Sequence, residues 1–288
     1  VKVVGTLTNA GTVYVTGEAN LDATVTGNGW FYMNGVTLDA DTKLLGAKVG
    51  FINGENTIVG STIKDGWFSV GIGKNTDAET AVAFAEANGI TLGDVTVNVS
   101  DNATVYTSTD AAYSGWVGSA YSADKGVNKY ILNINNSLAR FGYMHVSKDG
   151  EMNVTGPTDN KYEYAGNAVD FYAGTFINNG NVTLNGVDAW AMYSKISVDH
   201  ADAVLNIENG TKYMSNCTTG NVNANTFLYY KAGTVNVDET SSVNIEKATT
   251  FVDGAVLNIA GNVTAKGAIT GNGVINFTSN DTGIELSG

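Results

Sequence analysis

The sequence predicts an all-β fold: a right-handed parallel β-helix, or β-solenoid, formed by a single domain over residues 1–288 with one short lateral α-helix and two long loops. Three observations predict it. Short β-branched segments are bounded by Gly, Asn or Asp; one triplet of residues recurs along the chain; and the repeats have unequal lengths, which stacked β-repeats tolerate. The right hand follows the general rule for parallel crossovers.

The recurring triplet has an apolar residue on each side of an asparagine. Because side chains alternate across a strand, we expect the two apolar residues to face a core and the asparagine to face away from it. The triplets are Val97-Asn98-Val99, Leu132-Asn133-Ile134, Met152-Asn153-Val154, Leu205-Asn206-Ile207, Val235-Asn236-Val237, Val243-Asn244-Ile245, Leu257-Asn258-Ile259 and Ile275-Asn276-Phe277.

A sandwich or barrel of antiparallel hairpins is the alternative, and Asn-Gly dipeptides such as Asn34-Gly35 and Asn185-Gly186 suit its turns. The reused triplet, the shortness of the strands and the scarcity of the proline and charge that protect sandwich edges favour the β-helix. Pro157 is the single proline, and no linker composition divides the chain.

One segment departs from the strand pattern. Residues 77–88 have early acids and central alanines, with Asn88-Gly89 as a left-handed stop, which predicts a helix of about three turns. Val82, Phe84 and Ala85 give it an apolar side that we expect to cover part of the strand stack.

Segments 107–129 and 156–174 are longer than ordinary turns, which predicts two loops of the kind that often carry function. Their Tyr, Ser, Gly and Asn content is typical of binding loops, although these aromatics also suit packing onto the strands. The predicted binding residues are six loop aromatics, with Trp190 and Tyr229 outside the loops: Tyr113, Trp116, Tyr121, Tyr162, Tyr164, Tyr172, Trp190 and Tyr229.

Composition excludes several functions. The net charge is −13 and no cluster of Lys and Arg is visible along the sequence, so we expect neither nucleic acid nor an anionic membrane as partner. Hydrophobic residues reach 43%, enough for a core, while charged residues are 15%, so the surface is neutral and polar. Cys217 is the one cysteine and has no disulfide partner within the chain.

Catalytic and metal-binding patterns are weak. The best candidates for catalytic carboxylates are Asp199-His200-Ala201-Asp202, Asp238-Glu239 and the pair Asp39 and Asp41. Each is better explained as part of a solvated turn. His145 and His200 lack partners at zinc-ligand spacing. We therefore predict no catalytic residues, no metal site and no cofactor, while turn carboxylates leave weak calcium binding open.

The strand-turn texture, as in Gly180-Asn181-Val182-Thr183-Leu184-Asn185-Gly186 and Gly261-Asn262-Val263-Thr264, resembles the passenger domains of autotransporter adhesins and related β-helical bacterial surface proteins. The likeness covers nearly the whole chain outside the helix and the loops. It implies export and a role in adhesion or aggregation. No membrane-barrel segment or serine-protease motif accompanies it. We expect a mature or excised piece of a longer protein.

The sequence thus predicts a non-enzymatic secreted or cell-surface module. It would bind a host or neighbour-cell protein, such as an immunoglobulin or a mucin, or a glycan, through the aromatic loops and an adjoining strand face. Two alternatives stay open: a polysaccharide-active lyase or hydrolase, by analogy at the level of the fold, and a structural stalk spacer.

Overall fold

The computed structural model describes residues 2–8, 11–26, 29–71, 75–108, 114–118, 128–156, 169–177, 179–191, 196–215, 228–245, 249–266, 268–279 and 283–286. These residues form one helix, α1 (Asn75–Asn88), and a sheet of 25 strands. The fold is therefore nearly all β.

The strands of the first half are β1 (Lys2–Thr8), β2 (Thr12–Thr26), β3 (Trp30–Leu38), β4 (Lys43–Leu45), β5 (Lys48–Val59), β6 (Thr62–Val70), β7 (Val95–Ser100), β8 (Thr104–Thr107), β9 (Gly115–Val117), β10 (Tyr130–Asn135), β11 (Leu138–Val146) and β12 (Gly150–Thr155). Those of the second half are β13 (Val169–Ile177), β14 (Asn181–Asn185), β15 (Asp188–Ala191), β16 (Ile196–Glu208), β17 (Lys212–Ser215), β18 (Leu228–Val237), β19 (Ser242–Ile245), β20 (Thr249–Phe251), β21 (Ala255–Ile259), β22 (Asn262–Ala265), β23 (Ile269–Gly271), β24 (Val274–Phe277) and β25 (Gly283–Leu286).

All pairings among the described strands are parallel, and they sort the strands into three columns. The first column stacks 12–16 of β2, 30–34 of β3, 48–51 of β5, 67–70 of β6, β9, 144–146 of β11, 174–177 of β13, 196–198 of β16, 228–230 of β18, β20 and β23. The second stacks 17–19 of β2, 36–38 of β3, 54–59 of β5, β7, β10, β12, β14, 204–208 of β16, 233–237 of β18, β21 and β24. The third stacks β1, 20–26 of β2, β4, 62–64 of β6, β8, 138–140 of β11, 169–171 of β13, β15, β17, β19, β22 and β25.

The chain visits the columns in a fixed order, third, first, second, and then returns to the third. We call one such passage a round. Several strands bend at a corner and serve two columns, as β11 does when it leaves the third column after Arg140 and enters the first at Met144. Strand partners therefore come from successive rounds and never from a hairpin, so the antiparallel alternative is wrong for the described strands.

The asparagine triplets have the predicted alternation. Val97 and Val99 are fully buried on either side of a half-buried Asn98, and the same pattern recurs in later rounds. The exception is the last round, where Phe277 is 54% exposed because no described strand pairs with the far side of β24. The buried residues of the three columns form one continuous core.

The asparagines of the second column hydrogen-bond to one another across rounds, and we call this row the asparagine ladder. Asn133 Nδ2 donates to Asn98 Oδ1 at 2.9 Å, and Asn153 Nδ2 donates to Asn133 Oδ1 at 3.0 Å. Thr183 takes the next position, after which Asn206, Asn236, Asn258 and Asn276 continue the row. Each amide-to-amide bond of the ladder runs from a later round to an earlier one.

The predicted helix at 77–88 is confirmed as α1, which the structure extends to Asn75. Val82 and Ala85 are buried, and the Phe84 ring lies 5.6 Å from that of Tyr32 in the first column. The helix ends at a left-handed Gly89, as its sequence predicts. It covers an outer part of the first column.

The two segments predicted as loops contain strands. β9 lies within 107–129, and the first residues of β13 lie within 156–174. These residues belong to strands rather than to loops because their apolar residues continue the core, as Val117 does. Residues 109–113, 119–127 and 157–168 are outside the described part of the chain.

Candidate functional site

The sequence-predicted binding residues divide into two groups. Trp116, Tyr172, Trp190 and Tyr229 lie on described strands, and only for Trp116 are side-chain contacts described. The other four predicted residues lie outside the described residues: Tyr113, Tyr121, Tyr162 and Tyr164.

Trp116 belongs to a row of outward register positions on the first column. It pairs with His145 in the neighbouring round, and the two rings stack with centroids 5.1 Å apart and planes 18° apart. Both side chains are half-buried. The same register continues through Phe176 and Ser197 to Tyr229, so two predicted residues that are far apart in sequence share one row.

Trp190 belongs to a second row, on the third column. Its register partner is Asp170, and the row runs back through Arg140 and Tyr106 to Lys64. The Lys64 ammonium lies 5.1 Å from the centre of the Tyr106 ring, a cation–π contact. Lys64, Tyr106 and Arg140 are half-buried.

The two rows flank one corner, where the chain turns from the third column into the first. Tyr143 lies at this corner in β11 and is half-buried. Tyr172 lies at the equivalent bend of β13, between residues 171 and 174, where the register shifts. Tyr113 immediately precedes Ser114, which lies at the same corner. We call the described side chains of this surface the aromatic corner: Lys64, Tyr106, Trp116, Arg140, Tyr143 and His145.

Two buried hydroxyls hold the base of the corner. Ser114 Oγ and Thr107 Oγ1 lie 3.1 Å apart in a hydrogen bond. The backbone N–H of Gly142 donates to Thr107 Oγ1 at 2.8 Å, and that of Tyr143 donates to Ser114 Oγ at 3.3 Å. On the side that faces β8 and β9, residues 141–143 of β11 have no strand partner, so the two hydroxyls accept from N–H groups that the ladder leaves open on that side.

Close backbone packing also fixes the corner at Gly66. A Cβ atom there would overlap the carbonyl oxygen of Ala47 in the preceding round. Trp67 N donates to that same oxygen at 3.0 Å. Only glycine fits, because the two rounds approach each other backbone to backbone.

Burial lowers the pKa of His145 from its usual 6.5 to about 4. The imidazole is therefore uncharged at neutral pH and contributes a flat aromatic surface beside Trp116. The cations of the corner lie on the other row, at Lys64 and Arg140. The corner thus has a neutral aromatic side and a cationic side.

The candidate carboxylates serve local structure. Asp39 Oδ1 accepts from Asp41 N at 3.1 Å and from Thr42 Oγ1 at 3.3 Å, which closes a turn. Asp238 accepts from Asn209 N at 2.7 Å and from Thr240; although desolvation acts to raise the pKa of its carboxyl, these hydrogen bonds lower it below the usual range. Among the described residues, no three His, Cys, Asp or Glu side chains group as metal ligands.

A second aromatic group lies under α1. Trp30 stacks on Tyr32 at 5.6 Å and meets Trp67 edge-on at 6.0 Å, with the Lys48 ammonium 4.6 Å from the Trp67 ring. The repeated Gly-Trp-Phe motif of the sequence produces this group, since Trp30, Lys48 and Trp67 are aligned in three successive rounds. Trp30 and Tyr32 are buried, so this group is a satellite core rather than a binding surface.

Sequence reasoning missed Lys64, Tyr106, Arg140, Tyr143 and His145 as site residues. No local motif marks them, because they meet only through the register of distant rounds. The alternation of Tyr106 with the buried Val105 and Thr107 is a signal that marks it as outward-facing.

In the described part of the chain, no helix has the length and apolarity to cross a membrane. The chain matches no protein-family model, no curated protein and no solved structure.

Proposed function

We propose that the three columns wind as a right-handed parallel β-helix that presents the aromatic corner as the binding surface of a non-enzymatic, adhesin-like module. The module acts outside the cell or on its surface, and it binds a host or neighbour-cell protein or a glycan. One observation carries the proposal: the strand register gathers Trp116, His145 and Tyr143 at one corner, where the backbone of Tyr172, Trp190 and Tyr229 also lies.

The corner is suited to binding because its aromatic side chains project from strands. Trp116 and His145 are stacked, and Tyr143 follows a bend held by Ser114 and Thr107. Little side-chain entropy is then lost when a ligand covers them, which is how preorganised surfaces gain affinity. Half-buried aromatics of this kind are common binding hot spots.

A structural spacer is the second candidate, and the asparagine ladder favours it. The ladder makes the second column uniform over most of its length, from Asn98 to Asn276. A repeated row of hydrogen bonds between rounds is sufficient for a stiff structural spacer. A spacer has no reason to place different aromatics at one corner in successive rounds, so the binding module explains more of the surface.

The experiment tests binding of the full chain to a glycan array and to cell-surface and secreted glycoproteins, with Trp116→Ala and Tyr143→Ala variants beside the parent. Each substitution is expected to weaken binding at least tenfold, about 1.4 kcal/mol, because it removes a half-buried aromatic contact. Phe277→Ala is the matched control, since Phe277 is an exposed aromatic away from the corner.

Circular dichroism and thermal melting of each variant separate loss of the surface from loss of the fold. Equal binding by the parent and both corner variants would show that the ligand is held elsewhere. Failure of the parent to bind any probe would favour the spacer.

A further inference from the structure

We propose that the third-column row of the aromatic corner, Lys64, Tyr106 and Arg140, is a subsite for the carboxylate-bearing sugar of an acidic glycan. The inference rests on the proposed binding function and names the chemical class of its ligand.

The row places an aromatic ring between two cations. Tyr106 pairs in register with Lys64 on one side and with Arg140 on the other. Since neighbouring strands are about 4.8 Å apart, the two cationic residues stand on backbones about 9.6 Å apart, with the tyrosine between them. The backbone of Tyr106 lies about 4.8 Å from that of either cationic residue, a distance that one sugar ring with its carboxylate spans, so the ring can cover the tyrosine while the carboxylate meets Lys64 or Arg140.

The charge pattern of the chain makes this pairing notable. The protein has 15 Lys and Arg against 28 Asp and Glu, so cations are the scarcer charge. Lys64 and Arg140 nevertheless occupy the same outward row with one strand between them. The Lys64 ammonium contacts the Tyr106 ring, and a carboxylate ligand would add a charge-assisted hydrogen bond to that same ammonium.

A rigid acidic sugar fits the row better than an acidic peptide. The three residues lie on paired strands, so the sheet fixes the spacing of their backbones. A pyranose carries its carboxylate and an apolar ring face on one rigid unit. Glutamate or aspartate carries the charge on a flexible stem, and ordering each such stem costs conformational entropy on binding.

The experiment measures binding of the full chain by isothermal titration calorimetry to sialyllactose and to an oligogalacturonate. The neutral counterparts are lactose and the methyl ester of the same oligogalacturonate, and poly-glutamate is the acidic peptide probe. We expect at least one acidic probe to bind tenfold or more tightly than its neutral counterpart. Lys64→Gln and Arg140→Gln are each expected to weaken that probe fivefold or more.

Lys212→Gln is the matched control. Lys212 is an exposed lysine on the same column but outside the row, so its substitution changes the net charge equally. Lys212→Gln is expected to alter binding less than twofold. Melting curves of every variant confirm that the sheet is intact.

Three results would overturn the inference. They are equal binding of acidic and neutral probes, equal binding of poly-glutamate and the acidic sugar, and no binding of either acidic probe. If one of these results is obtained and Trp116→Ala nevertheless abolishes binding of some other ligand, only the ligand class is wrong and the proposed function stands. If no ligand depends on Trp116, the proposed function fails as well.

Discussion

The second column and the aromatic corner differ in how varied the residues at their outward positions are. In the second column asparagine occupies the same outward position in every round from Asn98 to Asn276 except at Thr183, and most of these asparagines bond to the asparagine of the previous round. At the corner the equivalent positions hold Lys64, Tyr106, Arg140, Trp116 and His145, with no repetition.

The difference separates stability from the recognition that we propose. A repeated asparagine satisfies the hydrogen-bonding groups of its own neighbours, so the ladder presents a nearly uniform face, interrupted at Thr183. The outward positions of the corner hold unlike side chains, and we propose that this variety serves to distinguish a ligand from its competitors.

The largest loss of stability is expected from Gly66→Ala, a substitution that disrupts the aromatic corner and changes no residue of the asparagine ladder. Gly66→Ala places a methyl group against the Ala47 carbonyl oxygen, and neither backbone can move without losing the Trp67 hydrogen bond. We expect destabilisation of about 4 kcal/mol or more, measured by urea unfolding.

Gly11→Ala is the control, because an added Cβ there meets no atom within 4 Å. It is expected to change the unfolding free energy by less than about 0.5 kcal/mol. Comparable effects at the two glycines would show that the rounds are not packed backbone to backbone at the corner.

A loss of stability of intermediate size is expected at low pH, where His145 becomes protonated in the unfolded chain. Its folded pKa of about 4 lies below the unfolded value of 6.5, so the unfolded chain binds the extra proton between these values. Stability is full above pH 6.5 and falls as the pH drops towards 4, by up to about 3 kcal/mol.

His145→Gln is expected to remove this part of the pH dependence, read from unfolding curves at pH 7, 6, 5 and 4.5, whatever its effect at neutral pH. The same substitution at His200, which bonds locally to Asp202, serves as the control. An unchanged slope in His145→Gln would mean that the ring is not held desolvated on Trp116.

The smallest loss of stability is expected from substitutions in the asparagine ladder. Asn236 donates to Asn206 and accepts from Asn258, each at 2.8 Å, so Asn236→Ala breaks two bonds and should cost about 2 kcal/mol. Asn276→Ala breaks one ladder bond and should cost about half as much.

Asn236→Thr is expected to recover part of the loss, since Thr183 already occupies a ladder position and accepts from Asn206. Equal unfolding midpoints for the Asn236 and Asn276 alanine variants would argue against additive bonds along the row.

The ladder was largely predictable from sequence, because an apolar-Asn-apolar triplet indicates which side chains face the core. The triplet does not indicate to which of the three columns its strand belongs. Val243-Asn244-Ile245 has the same pattern, yet Asn244 lies in the third column and pairs with Thr264. Local alternation fixes the face of a residue, while its column depends on the lengths of all the turns before it.

The corner was much less predictable for the same reason. Thr62 follows Lys43 after a short round, whereas the next round, which brings Thr104 beside Thr62, contains α1. Unequal rounds hide the register, so the meeting of Lys64, Tyr106 and Arg140 leaves no fixed spacing in the sequence. Trp116 was predicted as an aromatic of the segment 107–129 and Tyr229 by its residue type, and their shared row became visible only from the strand pairing.

The register of the columns is the central claim, and a distance between distant rounds tests it most directly. Lys43 and Lys212 are exposed residues of the third column, separated by six strand steps through β6, β8, β11, β13 and β15. With Cys217 replaced by serine, spin labels at cysteines introduced at these two sites can be measured by double electron–electron resonance. Parallel stacking in this register predicts a single narrow distribution centred at about 29 Å. A broad distribution, or a centre below about 15 Å or above about 45 Å, would contradict the register and with it the aromatic corner.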